Sequence, residues 1–130
     1  MQASIEKISK VDGVPSPRAS YSVYSRVGNL LFLAGQVAMD PDTGEIPKSF
    51  ADQCRLILDN IRIILESAGT SMDNMLKTTA FLTDSAYHSE YDKIYRGYFK
   101  NGFPARSTVV AKLMHEDFLA EIEAIAWIPE

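Results

Sequence analysis

The chain has 130 residues, 46% of them hydrophobic and 23% charged, which is enough to bury the core of one domain and excludes a disordered tail. Its formal net charge is −4 and its 13 Lys and Arg are scattered, which disfavours a protein that binds nucleic acid through clustered cations. The single Cys54 excludes an internal disulfide, and one Cys with two His provides no usual zinc spacing. We therefore expect one domain over residues 1–130, with no metal site and no nucleic-acid partner.

The N-terminal sequence MQASIEKISK lacks the apolar stretch of a signal peptide. The longest apolar runs, residues 30–34 and 124–128, are too short to span a membrane. Together these features predict a cytoplasmic protein without a membrane partner.

Turn signals and hydrophobic periodicity predict eight elements in the order β-β-β-α-β-α-β-β. In chain order they are strands over residues 4–8, 20–27 and 30–39, a helix over 49–68, a strand over 75–83, a helix over 86–99, and strands over 106–113 and 119–128. Residues 28–29 (Gly-Asn) have the composition of a two-residue hairpin turn, and residues 40–44 that of a tight loop. Residues 49–52 resemble a capping box, and Gly69 is a typical residue to end the first helix.

The two predicted helices are amphipathic and cover only one face of the predicted sheet. The third strand is nevertheless apolar on both sides, as Phe32 and Leu33 illustrate. The last strand is also apolar on both sides, with Ile125 and Trp127 on one of them. A monomer would expose a large apolar face, which soluble monomers rarely do, so we expect a homo-oligomer.

The two histidines, the cysteine and the acidic loop can each be explained without a catalytic or metal-binding role. We expect His88 and His115 to be solvated surface side chains, because no nucleophile-elbow sequence supports a Ser-His-Asp triad. Cys54 falls on the apolar stripe of the first helix, where a Cys is usually a small buried hydrophobe rather than a reactive thiol. Residues 40–45 resemble a calcium loop only superficially, because Pro41 and the ligand spacing do not fit.

The most informative segments are residues 102–113 and 120–126. Arg106 follows a Gly-Phe-Pro turn at the start of a predicted strand, where a side chain can be held rigidly at a sheet margin. Glu121 shares a strand face with apolar residues, and burial raises the pKa of a carboxyl group, which favours a proton-transfer role. An Arg–Glu ion pair across neighbouring strands explains the same residues without catalysis, and spacing alone leaves both interpretations open.

Motifs along nearly the whole chain, from about residue 5 to residue 128, resemble the RidA family, also called YjgF. They are Gly28-Asn29, Ala34-Gly35-Gln36, Pro41-Asp42-Thr43-Gly44-Glu45, Leu58-Asp59-Asn60-Ile61, Glu66-Ser67-Ala68-Gly69, Lys77-Thr78-Thr79, Tyr95, Tyr98-Phe99, Phe103-Pro104-Ala105-Arg106-Ser107 and Ile122-Glu123-Ala124-Ile125-Ala126. The most specific of them is FPARS followed by EIEAIA, with Glu121 fifteen residues after Arg106.

The resemblance implies an α+β, chorismate-mutase-like fold, with two helices on one face of a mixed sheet, assembled as a homotrimer with ligand sites in clefts between subunits. It also implies hydrolysis of reactive enamines and imines, such as 2-aminoacrylate and 2-iminopropanoate, to a 2-oxo acid and ammonia. No metal, flavin or other cofactor is implied. The expected partners are therefore a small imino or 2-oxo acid and further copies of the chain.

Carried over by position, the family's functional residues fall on Arg106, Glu121, Tyr21 and Gly35. The resemblance implies that Arg106 binds the substrate carboxylate, which suits the paired donors of a guanidinium. It implies that Glu121 orients or activates the attacking water. Tyr21 would line the same cleft, and the backbone of Gly35 would approach the ligand.

Three positions in the expected substrate site depart from the family pattern. Thr108 stands where Cys is common, so thiol chemistry is excluded there. Asp92 stands where Asn is frequent and adds a negative charge that disfavours anionic substrates if it faces the cleft. Residues 17–21 lack the usual Gly-Pro-Tyr, which alters the rim of the cleft.

Three other functions stay open at this point. One is a deaminase of a larger catabolic enamine such as 2-aminomuconate. Another is a trimer that binds 2-oxo acids without turnover, which the departures at Thr108 and Asp92 favour. The third is an endoribonuclease, a label the family also carries, which the acidic sequence pI of about 5.2 disfavours.

Overall fold

The structure, a computed structural model, describes residues 4–130. Six strands and two α-helices follow one another in the predicted order. They are β1 (Ile5–Ile8), β2 (Tyr24–Val27), β3 (Leu30–Val37), α1 (Phe50–Ser67), β4 (Met75–Leu82), α2 (His88–Arg96), β5 (Ala105–Val110) and β6 (Ala120–Trp127). Short 3₁₀ turns over Met72–Asn74 and Ser85–Tyr87 precede β4 and α2.

The six strands form one mixed sheet in the order β1-β2-β3-β6-β4-β5. Only β4 and β5 run parallel, because α2 carries the chain back across the sheet between them. The remaining pairs are antiparallel, and Gly28, with φ +56°, makes the hairpin turn between β2 and β3. The predicted α+β architecture is therefore confirmed.

The main core lies between α1 and the sheet. Ser49 begins the helix by accepting a hydrogen bond from the Asp52 backbone N–H at 3.1 Å, and Gly69, with φ +88°, follows its end. The apolar stripe of α1 is buried, including Cys54, Ile57, Leu58, Ile61, Ile64 and Leu65. Cys54 is fully buried, and burial raises the pKa of its thiol to about 12, so its predicted role as a small core residue is confirmed.

The opposite face of the sheet is uncovered in the isolated chain. Phe32 pairs with Ile125, and Leu30 pairs with Trp127, on neighbouring strands. Phe32, Leu30 and Trp127 are all exposed, and so is Val109 on β5. The helices thus leave an apolar sheet face open, as the sequence predicts.

Three predicted boundaries were wrong by three residues or more. The strand over residues 20–27 begins only at Tyr24, so Tyr21 lies in the preceding loop. The helix over 86–99 ends at Arg96 beside Gly97, although Tyr98 and Phe99 continue its aromatic spacing. The strand over 106–113 ends at Val110, because its partner β4 ends at Leu82.

Within residues 4–130, no helix is long and apolar enough to cross a membrane. No group of three or more His, Cys, Asp or Glu side chains in that part of the chain is placed to hold a metal ion.

Candidate active site

The six predicted site residues fall into two groups on opposite faces of the sheet. Arg106 pairs through Thr78 on β4 with Ala124 on β6, so its side chain lies on the face covered by the helices. Glu121 pairs with Phe81, which follows Thr78 by three residues on β4. Because side chains alternate between the two faces along a strand, Glu121 lies on the uncovered face. One subunit therefore does not bring Arg106 and Glu121 together.

The alternative of an Arg–Glu ion pair across neighbouring strands was wrong. Strands β5 and β6 are separated by β4, and the two side chains lie on different sides of the sheet. The carboxylate that pairs with Arg106 is Asp92 on α2, with Oδ1 lying 2.9 Å from Nη1 of the guanidinium.

We call the side chains around Arg106 the arginine cluster: Arg106, Asp92, Arg96, His88, Tyr91 and Tyr95. Asp92 accepts hydrogen bonds from two arginines, through Oδ1 from Arg106 and through Oδ2 from Arg96 at 2.8 Å. The nitrogen Nε2 of His88 lies 3.5 Å from Nη2 of Arg106. Since one carboxylate balances two guanidinium groups, the cluster keeps a net positive charge.

Two aromatic rings form the floor under Arg106. Its Cζ lies 5.2 Å from the ring centroid of Tyr91 and 5.0 Å from that of Tyr95, within the range of cation–π attraction. The Tyr95 hydroxyl is itself fixed by a 2.8 Å hydrogen bond with Thr78 Oγ1 on β4. Stacking and ion pairing leave only 22% of the Arg106 side chain exposed, so its orientation is set before any ligand arrives.

The hydrogen bond from Arg106 lowers the pKa of the Asp92 carboxyl, and the charges of Arg106 and Arg96 act in the same direction. Asp92 is therefore ionised at neutral pH and stays paired with Arg106. A cavity of about 220 Å³ opens beside this pair, lined by Asp92, Tyr95, Arg96, Phe103, Pro104 and Arg106. Arg106 thus faces a space where a small anionic ligand fits.

Sequence reasoning missed His88 and Arg96 as members of this cluster. The signal was present, because His88, Asp92 and Arg96 follow one another at four-residue spacing and so lie on one face of α2. His88 is exposed, as the sequence predicts, and its ring lies at the outer edge of the guanidinium. Tyr91 and Tyr95, the buried residues of α2, also support Arg106.

Thr108 lies on the same sheet face as Arg106, two residues further along β5. It pairs with Ala80 of β4 and is partly buried. Its side chain belongs to this side of the sheet and not to that of Glu121.

The second group lines what we call the glutamate cavity, of about 330 Å³. Three predicted residues contribute to its wall, namely Tyr21, Gly35 and Glu121. Pro17, Arg18 and Ala19, from the segment that the family resemblance places at the cleft rim, also line it. The other lining residues, missed at the level of sequence, are Pro15, Ser16, Val23, Gln36, Val37, Met39, Met114 and Phe118. Most of these come from loops, whose packing no periodic pattern predicts.

Gly35 lies where a bulge between Leu33 and Gln36 interrupts the pairing of β3 with β6. A Cβ added at Gly35 would stand 2.9 Å from Cδ and 3.0 Å from Cγ of Glu121, and would collide with its Oε2. Only glycine therefore lets the Glu121 side chain lie across the backbone at this point.

Burial raises the pKa of the Glu121 carboxyl, and the neighbouring charge of Glu123 raises it further. Among the hydrogen bonds and ion pairs of residues 4–130, none is made by this carboxylate. Glu121 is thus a partly buried carboxyl group whose proton affinity is increased and whose position is not fixed by polar partners.

The family model described as Endoribonuclease L-PSP matches residues 12–128. A RutC family protein of Pyrococcus horikoshii is 42% identical over 117 residues, covering 89% of this chain and 93% of that protein. The chain belongs to the RidA family. The family resemblance that the motifs indicate is therefore confirmed.

Solved structures of other RidA-family proteins share the fold over almost their whole length. A protein of the conserved Rid family from Yersinia pestis, YyfA, superimposes with a TM-score of 0.90 at 35% identity, covering 96% of this chain and 100% of that one. TdcF of E. coli, whose structure has serine bound, superimposes with a TM-score of 0.89 at 32% identity, covering 95% of this chain and 100% of that one.

Proposed function

We propose that this RidA-family protein hydrolyses reactive 2-imino and 2-enamino acids to 2-oxo acids and ammonia. The observation that carries the proposal is Arg106, which is oriented by Asp92 and two tyrosine rings and faces a cavity of about 220 Å³. A guanidinium has five N–H donors, and Asp92 accepts only one hydrogen bond from it. Arg106 thus keeps donors for a substrate carboxylate, with charge-assisted bonds of roughly 1.5–3 kcal/mol each.

We further propose a homotrimer in which each active site combines Arg106 of one subunit with Glu121 of the next. Within one subunit the two side chains are on opposite faces of the sheet, so a shared substrate requires a second copy of the chain. The uncovered apolar face supports this assembly, because Phe32 and Trp127 need a cover that the chain itself does not supply. A cyclic trimer would bury this face and form three equivalent clefts.

The chemistry assigned to each cleft is a simple hydrolysis. Arg106 holds the carboxylate, and water attacks C2 of the imine while Glu121 accepts a proton from it. The C–O bond forms, the electrons of the C=N bond move to nitrogen, and Glu121 returns its proton to that nitrogen. Glu121 then accepts the hydroxyl proton of the tetrahedral adduct and passes it to the amino group. The C–N bond breaks with its electron pair on nitrogen, and ammonia leaves to give the 2-oxo acid.

The raised pKa of Glu121 supports this role, because a base works best when its pKa is near the operating pH. General acid–base catalysis of this kind contributes about 10²–10⁴-fold to the rate. The serine bound to the relative TdcF also supports the proposal, since serine and a 2-imino acid share an α-carboxylate and a neighbouring nitrogen.

The test generates imino acids in situ with an amino-acid oxidase and traps unreacted imine with semicarbazide. The wild type is expected to reduce the trapped imine, and Arg106→Ala to lose at least a hundredfold in rate, because two charge-assisted bonds disappear. Arg62→Ala is the matched control, since Arg62 pairs with Asp59 on the exposed side of α1. Full activity in Arg106→Ala would contradict the assignment.

The same assay separates the other functions. Faster turnover of bulky than of small imino acids would favour a catabolic enamine deaminase. Saturable binding of 2-oxobutanoate without any turnover would favour a trimer that only binds 2-oxo acids. RNA cleavage that persists in Arg106→Ala would favour the endoribonuclease.

A further inference from the structure

Asp92 places a negative charge directly beside the group proposed to bind the substrate carboxylate. Its Oδ1 lies 2.9 Å from Arg106 Nη1, and its side chain is 37% exposed towards the adjoining cavity. Each of its oxygens accepts one hydrogen bond from an arginine, and a carboxylate oxygen has the capacity for two. A ligand bound to Arg106 therefore lies next to a carboxylate that can accept further hydrogen bonds.

The substrate and the product of the proposed reaction differ at the atom bonded to C2, the carbon next to the carboxylate that Arg106 would hold. A protonated 2-imino acid carries a positive nitrogen on the carbon next to its carboxylate, whereas a 2-oxo acid carries a neutral carbonyl oxygen there. A guanidinium beside a carboxylate complements the first pattern, with an anion against Arg106 and a cation against Asp92. The second pattern brings two acceptors, the carbonyl oxygen and the carboxylate, towards a negative charge.

We propose that Asp92 is a specificity-determining residue that makes the site favour zwitterionic 2-imino and 2-amino acids over 2-oxo acid anions. The proposal rests on the proposed function, because it takes Arg106 as the anchor of the ligand carboxylate. In this arrangement Asp92 strengthens substrate binding through the iminium group and weakens product binding through repulsion. The outcome is a site that releases its 2-oxo acid more readily than it releases its substrate.

The remaining charges of the arginine cluster are arranged so that Asp92 does not neutralise the attraction of Arg106 for a carboxylate. Arg96 pairs with the second oxygen of Asp92 and is 69% exposed, so it balances the added charge from the solvent side. His88 approaches Arg106 from the first turn of α2. Arg106 therefore keeps its attraction for a carboxylate, while Asp92 distinguishes a positively charged nitrogen from a carbonyl oxygen on the neighbouring carbon.

The test compares two stable ligands with the same carbon skeleton, L-alanine and pyruvate, by calorimetric titration. In Asp92→Asn the ratio of the pyruvate to the alanine dissociation constant is expected to fall at least about tenfold. Pyruvate binds more tightly because a repulsion is removed, and alanine binds less tightly because its ammonium group loses a partner. Product inhibition by pyruvate is expected to strengthen in the same variant.

Glu90→Gln is the matched control, because it removes one negative charge from the same helix at a residue beside Arg55 and Lys93. This control is expected to leave the ratio unchanged. An unchanged ratio in Asp92→Asn, an equal shift in Glu90→Gln, or a wild type that binds neither ligand would overturn the proposal. A shifted ratio without imine hydrolysis would overturn the proposed function alone, and hydrolysis with an unshifted ratio would overturn only the role of Asp92.

Discussion

The arginine cluster and the glutamate cavity differ in how firmly they hold their central side chain. Arg106 is fixed by Asp92 at 2.9 Å and by the rings of Tyr91 and Tyr95. Glu121 lies across the backbone of Gly35, and the hydrogen bonds and ion pairs of residues 4–130 do not include its carboxylate. Polar and aromatic partners hold Arg106, whereas Glu121 packs against Gly35 without such partners among the described residues.

This difference suits the two tasks that the proposed hydrolysis requires. A binding group gains most from being oriented in advance, because less conformational freedom is lost when the ligand arrives. A proton-transfer group needs a raised pKa and some freedom to follow its proton between water and nitrogen. The contrast teaches that the sheet separates the two side chains within one subunit, and in the proposed assembly the two tasks are combined between subunits.

The largest expected effect in the glutamate cavity is that of Glu121→Gln. We expect kcat to fall by about 10²–10⁴-fold, because the amide accepts no proton, while the KM changes little. Steady-state kinetics on 2-iminopropanoate measure both quantities. A large rise in KM with an unchanged kcat would contradict the division of tasks, since it would make Glu121 a binding group.

The same variant has a predictable effect on stability. Burial raises the pKa of Glu121 in the folded state, so ionisation of this carboxyl at neutral pH lowers the free energy of unfolding. This destabilisation disappears at a pH below the pKa of the unfolded state, where the carboxyl is protonated in both states. Glu121→Gln is therefore expected to raise the melting temperature at pH 7, and the gain is expected to shrink as the pH falls towards 4. Thermal unfolding followed by circular dichroism at several pH values tests this dependence.

Gly35→Ala is expected to have a smaller effect, lowering kcat/KM by roughly tenfold to a hundredfold through displacement of Glu121. The new methyl would occupy the place of the Glu121 carboxylate, although the backbone of Gly35 is not among the positive-φ glycines. A double-mutant cycle with Glu121→Ala isolates the clash. Equal destabilisation by Gly35→Ala with and without the Glu121 side chain would show that the glycine serves another purpose.

The smallest effect is that of Glu123→Gln on the pH dependence of activity. The charge of Glu123 contributes to the raised pKa of Glu121, and Glu121 must be ionised to accept a proton. Removing that charge is expected to lower the pKa of Glu121 and to move the acidic limb of the kcat/KM profile to lower pH. Glu116→Gln, in the loop before β6, is expected to leave the limb in place.

Much of the fold was predictable because local signals agreed with tertiary packing. The cap at Ser49, the turn at Gly28 and the uncovered apolar face all followed from residue type and spacing. The end of α2 was misjudged because Tyr98 and Phe99 keep packing on the core after the helix has stopped at Arg96. Hydrophobic periodicity indicates which side chains are buried, and side chains are buried in irregular segments as well as in helices.

The site was only partly predictable for a different reason. The family motifs named Arg106 and Glu121, but the sheet order that places β4 between their strands depends on long-range pairing. Their opposite faces follow from the pairing register and not from the spacing of fifteen residues. The ion pair of Arg106 with Asp92 likewise joins a helix to an edge strand and has no short-range signal.

The most direct test of the central claim mixes two inactive variants, Arg106→Ala and Glu121→Gln. If each site takes Arg106 from one subunit and Glu121 from the next, random cyclic trimers of an equal mixture contain intact sites at about a quarter of the wild-type number. We therefore predict that the mixture, unfolded and refolded together, recovers about a quarter of wild-type imine hydrolysis. An inactive mixture, in oligomers shown by native mass spectrometry to contain both variants, would contradict the account.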